Sequence, residues 1–120
     1  GTVRRALAFN QPPIVVPAMP AASEASPTLP VDRDWLDLGD DNLVLMALKR
    51  SEDGDRWLLR CHESAGRAAS FEPSGALGLQ AIDTLDILER PHRLTSQNND
   101  TNIGAWKVAT FSIAPNPTEE

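Results

Sequence analysis

Apolar residues recur along this chain in short runs, each closed by turn residues. Leu43-Val44-Leu45-Met46-Ala47-Leu48 is the clearest, and its length suits a strand covered on both faces better than a helix. Ser51-Glu52-Asp53-Gly54-Asp55 follows, with an Asp-Gly pair suited to positive φ. From Arg56 to Glu63 the side chains alternate: Trp57, Leu59 and Cys61 share one face, Leu58, Arg60 and His62 the other. Two runs joined by a short acidic loop predict an antiparallel hairpin whose Trp57 face points to the core.

The pattern continues downstream. Ser64-Ala65-Gly66 predicts a turn, Arg67 to Glu72 a strand, and Pro73-Ser74-Gly75 another break. Leu77 to Glu89 fits two periods. Ala81, Asp83, Leu85 and Ile87 alternate as in a strand, whereas Ile82, Leu85 and Leu88 would line a helix face. Its neighbours are strands and Pro91 stops it, so a strand is favoured. Thr95 to Asn102 is a polar loop, and Trp106 to Ile113 a last strand, with Val108, Thr110 and Ser112 opposite Lys107, Ala109, Phe111 and Ile113.

Upstream of residue 31 the pattern is broken by Pro12, Pro13, Pro17, Pro20, Pro27 and Pro30. Proline removes a backbone donor, so this part suits edge strands, at Val3 to Phe9 and Ile14 to Val16, or an extended arm. Ala21 to Pro27 reads as a linker. Strands every 10 to 15 residues separated by turns define an all-β chain, an antiparallel β-sandwich with a Pro-rich N-terminal extended segment. Residues 1–120 are expected to form a single domain, with 1–30 as strand, arm and linker and 31–114 as sandwich core. The chain starts without Met, which raises the expectation of a longer polypeptide.

Composition narrows the partners. The chain has 120 residues, 41% of them hydrophobic, enough for one packed domain. A net charge of −6 and the absence of a basic stripe disfavour nucleic acid and anionic membrane. No apolar run approaches the roughly 20 residues that cross a bilayer. Cys61 is the only cysteine, so an internal disulfide is excluded and a reducing, cytoplasmic setting is suggested.

Few residues look chemical. His62 and His92 lack metal-ligand spacing. Asp32, Asp34, Asp37, Asp40, Asp41 and Asn42 are oxygen-rich enough to raise calcium, but they alternate with Trp35, Leu36 and Leu38, and a solvated approach to a strand is favoured. Cys61 and His62 are adjacent in a strand and face opposite ways, so they form no dyad. Trp35, Trp57 and Trp106 are the candidate platforms for stacking on sugar rings. The strand pattern favours core positions for Trp57 and Trp106 and leaves Trp35 open. Arg60 and Glu63 read as a sheet-surface arginine and a strand-end carboxylate, able to pair only across a bulge. No catalytic, cofactor-binding or metal residue is assigned.

Several of these segments carry a family likeness. Leu43 to Glu52 followed by Trp57-Leu58-Leu59-Arg60-Cys61-His62-Glu63-Ser64-Ala65-Gly66 resembles the end of glycoside hydrolase family 38 α-mannosidases, with their apolar strand, Lys-x-x-Glu, hairpin and Leu-Arg-x-x-Glu-x-x-Gly. Asp86-Ile87-Leu88-Glu89-Arg90-Pro91 is similar to the family's Asp-Leu-Leu-Glu segment, and Ala105 to Phe111 to its closing strand. Phe9 to Pro17 resembles the Asn-x-Pro-Leu segment of cytosolic-type members. His62 stands where the family has Tyr, Lys107 where it has Glu, and no Pro precedes Trp106.

The resemblance implies a parent that hydrolyses terminal α-mannosides with retention, its zinc and catalytic carboxylates in an N-terminal domain outside this chain. It implies that this is the C-terminal domain of a larger enzyme, with no cofactor here and a structural role: packing on the parent's remaining domains, with a homo-oligomer as a further expectation and Ser51–Asp55 or Thr95–Asn102 near a mannose-containing glycan. The alternatives are an autonomous carbohydrate-binding module and a protein-interaction sandwich.

Overall fold

A computed structural model describes residues 1–17, 32–91 and 101–117. His92, the linker at Ala21–Pro27 and most of the Thr95–Asn102 loop lie outside the described residues. Gly1–Arg33 and Asp34–Glu120 form separate compact units.

The first unit corrects the expected strand at Val3 to Phe9. Thr2–Asn10 is a helix, α1. Arg4, Arg5, Ala6, Leu7 and Ala8 are strong helix formers, and Pro12 and Pro13 act only after its end. Asn10 caps the last turn by donating from Nδ2 to the Ala6 carbonyl at 2.9 Å. The strand expected at Ile14 to Val16 also does not form; these residues take no regular secondary structure and are exposed.

The second unit is an antiparallel sandwich. Its strands are β1 (Asp37–Gly39), β2 (Leu43–Arg50), β3 (Trp57–Glu63), β4 (Ala69–Ser74), β5 (Leu79–Leu85), β6 (Asn102–Ile103) and β7 (Val108–Pro115). One sheet has the order β1-β4-β6 and the other β2-β3-β7-β5. The β2–β3 hairpin forms as the alternation predicts, closed by the Ser51 N–H donating to the Arg56 carbonyl at 2.9 Å, with Gly54 at φ 77°. The long run to Glu89 stops as a strand at Leu85, and a tight turn follows.

The core lies between the sheets. Leu43, Leu59, Cys61, Phe111 and Ile113 from the larger sheet meet Ala69, Phe71 and Ile103 from the smaller. The rings of Phe71 and Phe111 stack at 4.4 Å between centroids. Both are almost wholly buried, each contributing on the order of 1.5–3 kcal/mol by burial. Burial also pushes the Cys61 thiol up to about 11, so this cysteine acts as a small core hydrophobe.

Two expectations about coverage fail for one reason. β1 has 3 residues and β6 has 2, against 8 in β2, so the smaller sheet cannot span the larger. Leu45 pairs with Cys61 and Leu48 with Leu59, placing both on the core face, yet they are 43% and 40% exposed. Trp57, at the start of β3, is 48% exposed rather than buried, with the Arg50 guanidinium 5.3 Å over its ring. Of the β2 run only Leu43 and Val44 are buried.

The opposite face of the larger sheet is covered by the turn Asp86–Arg90. Arg60 donates from Nε to the Thr110 hydroxyl at 3.0 Å and from its guanidinium to the Ile87 carbonyl at 3.3 Å. Leu58 and Thr110 are buried on that face, whereas Val108 stays exposed.

Phe111→Ala is expected to cost about 3–5 kcal/mol in urea unfolding, whereas Met46→Ser, at the exposed bulge of β2, should stay within about 0.5 kcal/mol. Cys61 should resist thiol reagents in the native chain and react once urea unfolds it.

Candidate functional site

Glu63 ends β3 in full burial, only 1% exposed, with no cation beside it among the described residues. Such a carboxylate needs hydrogen bonds in place of water. Oε1 accepts from Asn42 Nδ2 at 2.9 Å and from the Ala65 N–H at 2.6 Å. Oε2 accepts from the Gly66 and Trp106 N–H groups, each at 2.8 Å. Desolvation pushes the carboxyl up, but the bonds from Trp106, Asn42, Ala65 and Gly66 outweigh it and hold the group at about 2, below its ordinary 4.5.

The two backbone donors on Oε2 shape a surface feature. Gly66 has φ 76° and Trp106 φ 60°. Left-handed backbone is ordinary for glycine but costs a bulky residue about 1–3 kcal/mol. The bond from the Trp106 N–H to Glu63 helps hold this conformation. The indole lies on Gly66 so closely that a Cβ there would fall 2.7 Å from Cζ2 and 2.9 Å from Cε2. Trp106, expected in the core, is therefore 70% exposed. It belongs to the turn before β7, where strand alternation does not apply.

A second cluster sits at the other end of β3. Glu89, at φ 65° and 9% exposed, pairs with Lys49 at 2.5 Å and accepts from the Glu52 N–H at 2.9 Å. The Arg56 guanidinium donates to the Glu89 carbonyl at 3.3 Å. The Lys49 bond chiefly, with that of Glu52, lowers the Glu89 carboxyl against burial. These bonds tie the hairpin loop Ser51–Asp55 to the Asp86–Arg90 turn.

The other candidates separate. Arg60 and Glu63 do not pair; Arg60 reaches Thr110 and Ile87 instead. The acidic stretch is spent locally: Asp37 accepts from the Gly39 N–H at 2.8 Å, Asp40 from the Ser70 N–H at 2.7 Å, and Asp41 pairs with Arg67 at 2.5 Å. Among the described residues no three His, Cys, Asp or Glu side chains converge as metal ligands. His62 is partly buried, its Nδ1 without a partner among the described residues. Trp35 is 38% exposed.

Asn42, Gly66 and the Trp106 backbone were missed as site members. One signal pointed to Gly66 but not to Asn42 or Trp106: Glu63 precedes Ala65 and Gly66 by two and three positions, where a turn aims N–H groups back at a side chain.

These features define a β-sandwich whose polar chemistry is spent on holding its own loops. Residues 42–111, more than half of the chain, match the glycosyl hydrolases family 38 C-terminal beta sandwich domain, and the chain belongs to that family. It is thus a non-catalytic C-terminal domain of a glycosidase, which implies further domains in the same protein. Neither the curated proteins nor the solved structures compared with the chain give a match.

Glu63→Gln should lower the urea midpoint at pH 7. Because the folded value lies below the unfolded one, the carboxylate's contribution is fully present above about 4.5 and is lost as pH falls toward about 2. Wild type should lose stability steeply over that window and the variant less so. Gly66→Ala, strained in backbone and blocked by the indole, should cost about 1–3 kcal/mol.

Proposed function

We propose that this chain is the accessory sandwich of a cytosolic-type, retaining α-mannosidase. In this reading it packs on the rest of the enzyme, which supplies the zinc and the two catalytic carboxylates. The observation that carries it is the bare edge of the core face along β2: Leu45, Leu48 and the adjoining Trp57 continue the core pattern beyond the smaller sheet, with 43%, 40% and 48% exposure. Apolar surface of this kind marks a contact between domains. The α-mannoside specificity rests on the segments Leu43–Glu52, Trp57–Gly66 and Asp86–Pro91, and the cytosolic type on Phe9–Pro17. Cytoplasmic location follows from that type and from the thiol at Cys61.

One further observation, the exposed Trp106, favours a sugar-contacting role as a second reading. A homo-oligomer through the edges of β2 or β5 belongs to the same proposal.

The isolated chain should show no turnover of an aryl α-mannoside, with or without added zinc, while the whole enzyme does. Turnover by the isolated chain would sink this reading.

A further inference from the structure

The Trp106 turn is built for presentation. Its backbone takes a conformation that bulky residues avoid, and a buried carboxylate holds it there through the N–H. The glycine beneath gives the indole a seat that no side chain could share. The outcome of these constraints is a ring fixed in place and 70% exposed. The core gains little from it.

We propose that Trp106 is a stacking platform for a single pyranoside ring, the seat of a glycan contact on this domain. A pyranose presents a face of C–H groups that lies flat on an aromatic ring, and the indole N–H, which has no acceptor among the described residues, is left to meet a hydroxyl. The surroundings favour a sugar over a protein. Ala65, Gly66, Gly104, Ala105 and Lys107 around the turn are exposed and small or charged, with Val108 the exposed aliphatic next to them in sequence. A protein anchor sits instead within a wider desolvated patch, and the apolar area of that kind lies elsewhere, at Leu45, Leu48 and Trp57. The choice of a sugar rests on the accessory-domain reading of a glycosidase; the platform itself rests on the geometry.

The test is a titration of the ¹⁵N-labelled chain with methyl α-mannopyranoside, followed at the indole N–H signals of its three tryptophans. The Trp106 signal should move saturably, with an affinity on the order of millimolar, and the Trp57 signal should stay. Mannitol, with similar hydroxyls and no ring, should move neither. Trp106→Ala should weaken binding, read from line broadening of the sugar's own protons, by about tenfold or more. Trp106→Phe, which keeps a smaller ring, should weaken it less and guards against loss of fold. The proposal is overturned by the absence of a saturable shift at Trp106, by an equal response to mannitol, or by unchanged binding in both variants. It is also overturned if the Trp106 signal instead broadens with protein concentration, which indicates a protein contact. None of these outcomes bears on turnover by the isolated chain, so the accessory-domain reading stands or falls separately.

Discussion

A carboxylate buried without a counter-ion is among the least tolerable groups in a protein interior. Glu63 is tolerated because three chain segments converge to solvate it: Asn42 before β2, the turn at Ala65 and Gly66, and Trp106 before β7. Each segment is held in turn by that demand. Moving any of them away strands a charge, so the carboxylate fixes where β2 begins, how β3 ends and how β7 is approached. The Glu63 N–H adds to this by donating to the Lys107 carbonyl at 2.9 Å. One side chain thereby ties one end of the larger sheet together.

The other end is tied by different chemistry. Lys49, Glu89, Arg56 and the Glu52 backbone form a charge-assisted cluster between the hairpin loop and the Asp86–Arg90 turn. Arg60 extends it to Ile87 and Thr110. This turn covers the sheet face that a third layer would otherwise cover. Leu58 and Thr110 are buried there beneath polar connections. β3 thus runs between two clamps, one a carboxylate solvated by neutral amide donors and one a carboxylate paired with a lysine.

Much of the sandwich was legible because its signals are local. Turn chemistry at Ser51–Asp55 and Ser64–Gly66 bounds the strands, and alternation puts Leu59 and Cys61 inside; the break expected at Pro73 comes only at Gly75, since β4 runs on through Pro73 and Ser74. Legibility failed where the decisive constraint was distant. Trp57 sits on the correct face, but nothing local reveals that β1 and β6 are too short to cover it. Trp106 lies one turn before its strand, where its backbone answers to Glu63, 43 positions away. Val3 to Phe9 carries Arg and Ala that favour a helix, and the prolines beyond it were weighed too heavily. The Glu63 cluster was half visible, in the Glu-x-x-Gly spacing; Asn42 and Trp106 as its partners were not.

The two clamps also separate two surfaces. The bare apolar area runs from Leu45, opposite Cys61, to Trp57 at the start of β3, whereas Trp106 is held at the Glu63 end. Seven residues of strand rise about 20 Å. A neighbouring domain seated on Leu48 and Trp57 would therefore leave the indole of Trp106 open. A domain that needs to be gripped at one end and reach outward at the other is served by an unpaired buried carboxylate, which anchors a loop without adding a charge to its surface.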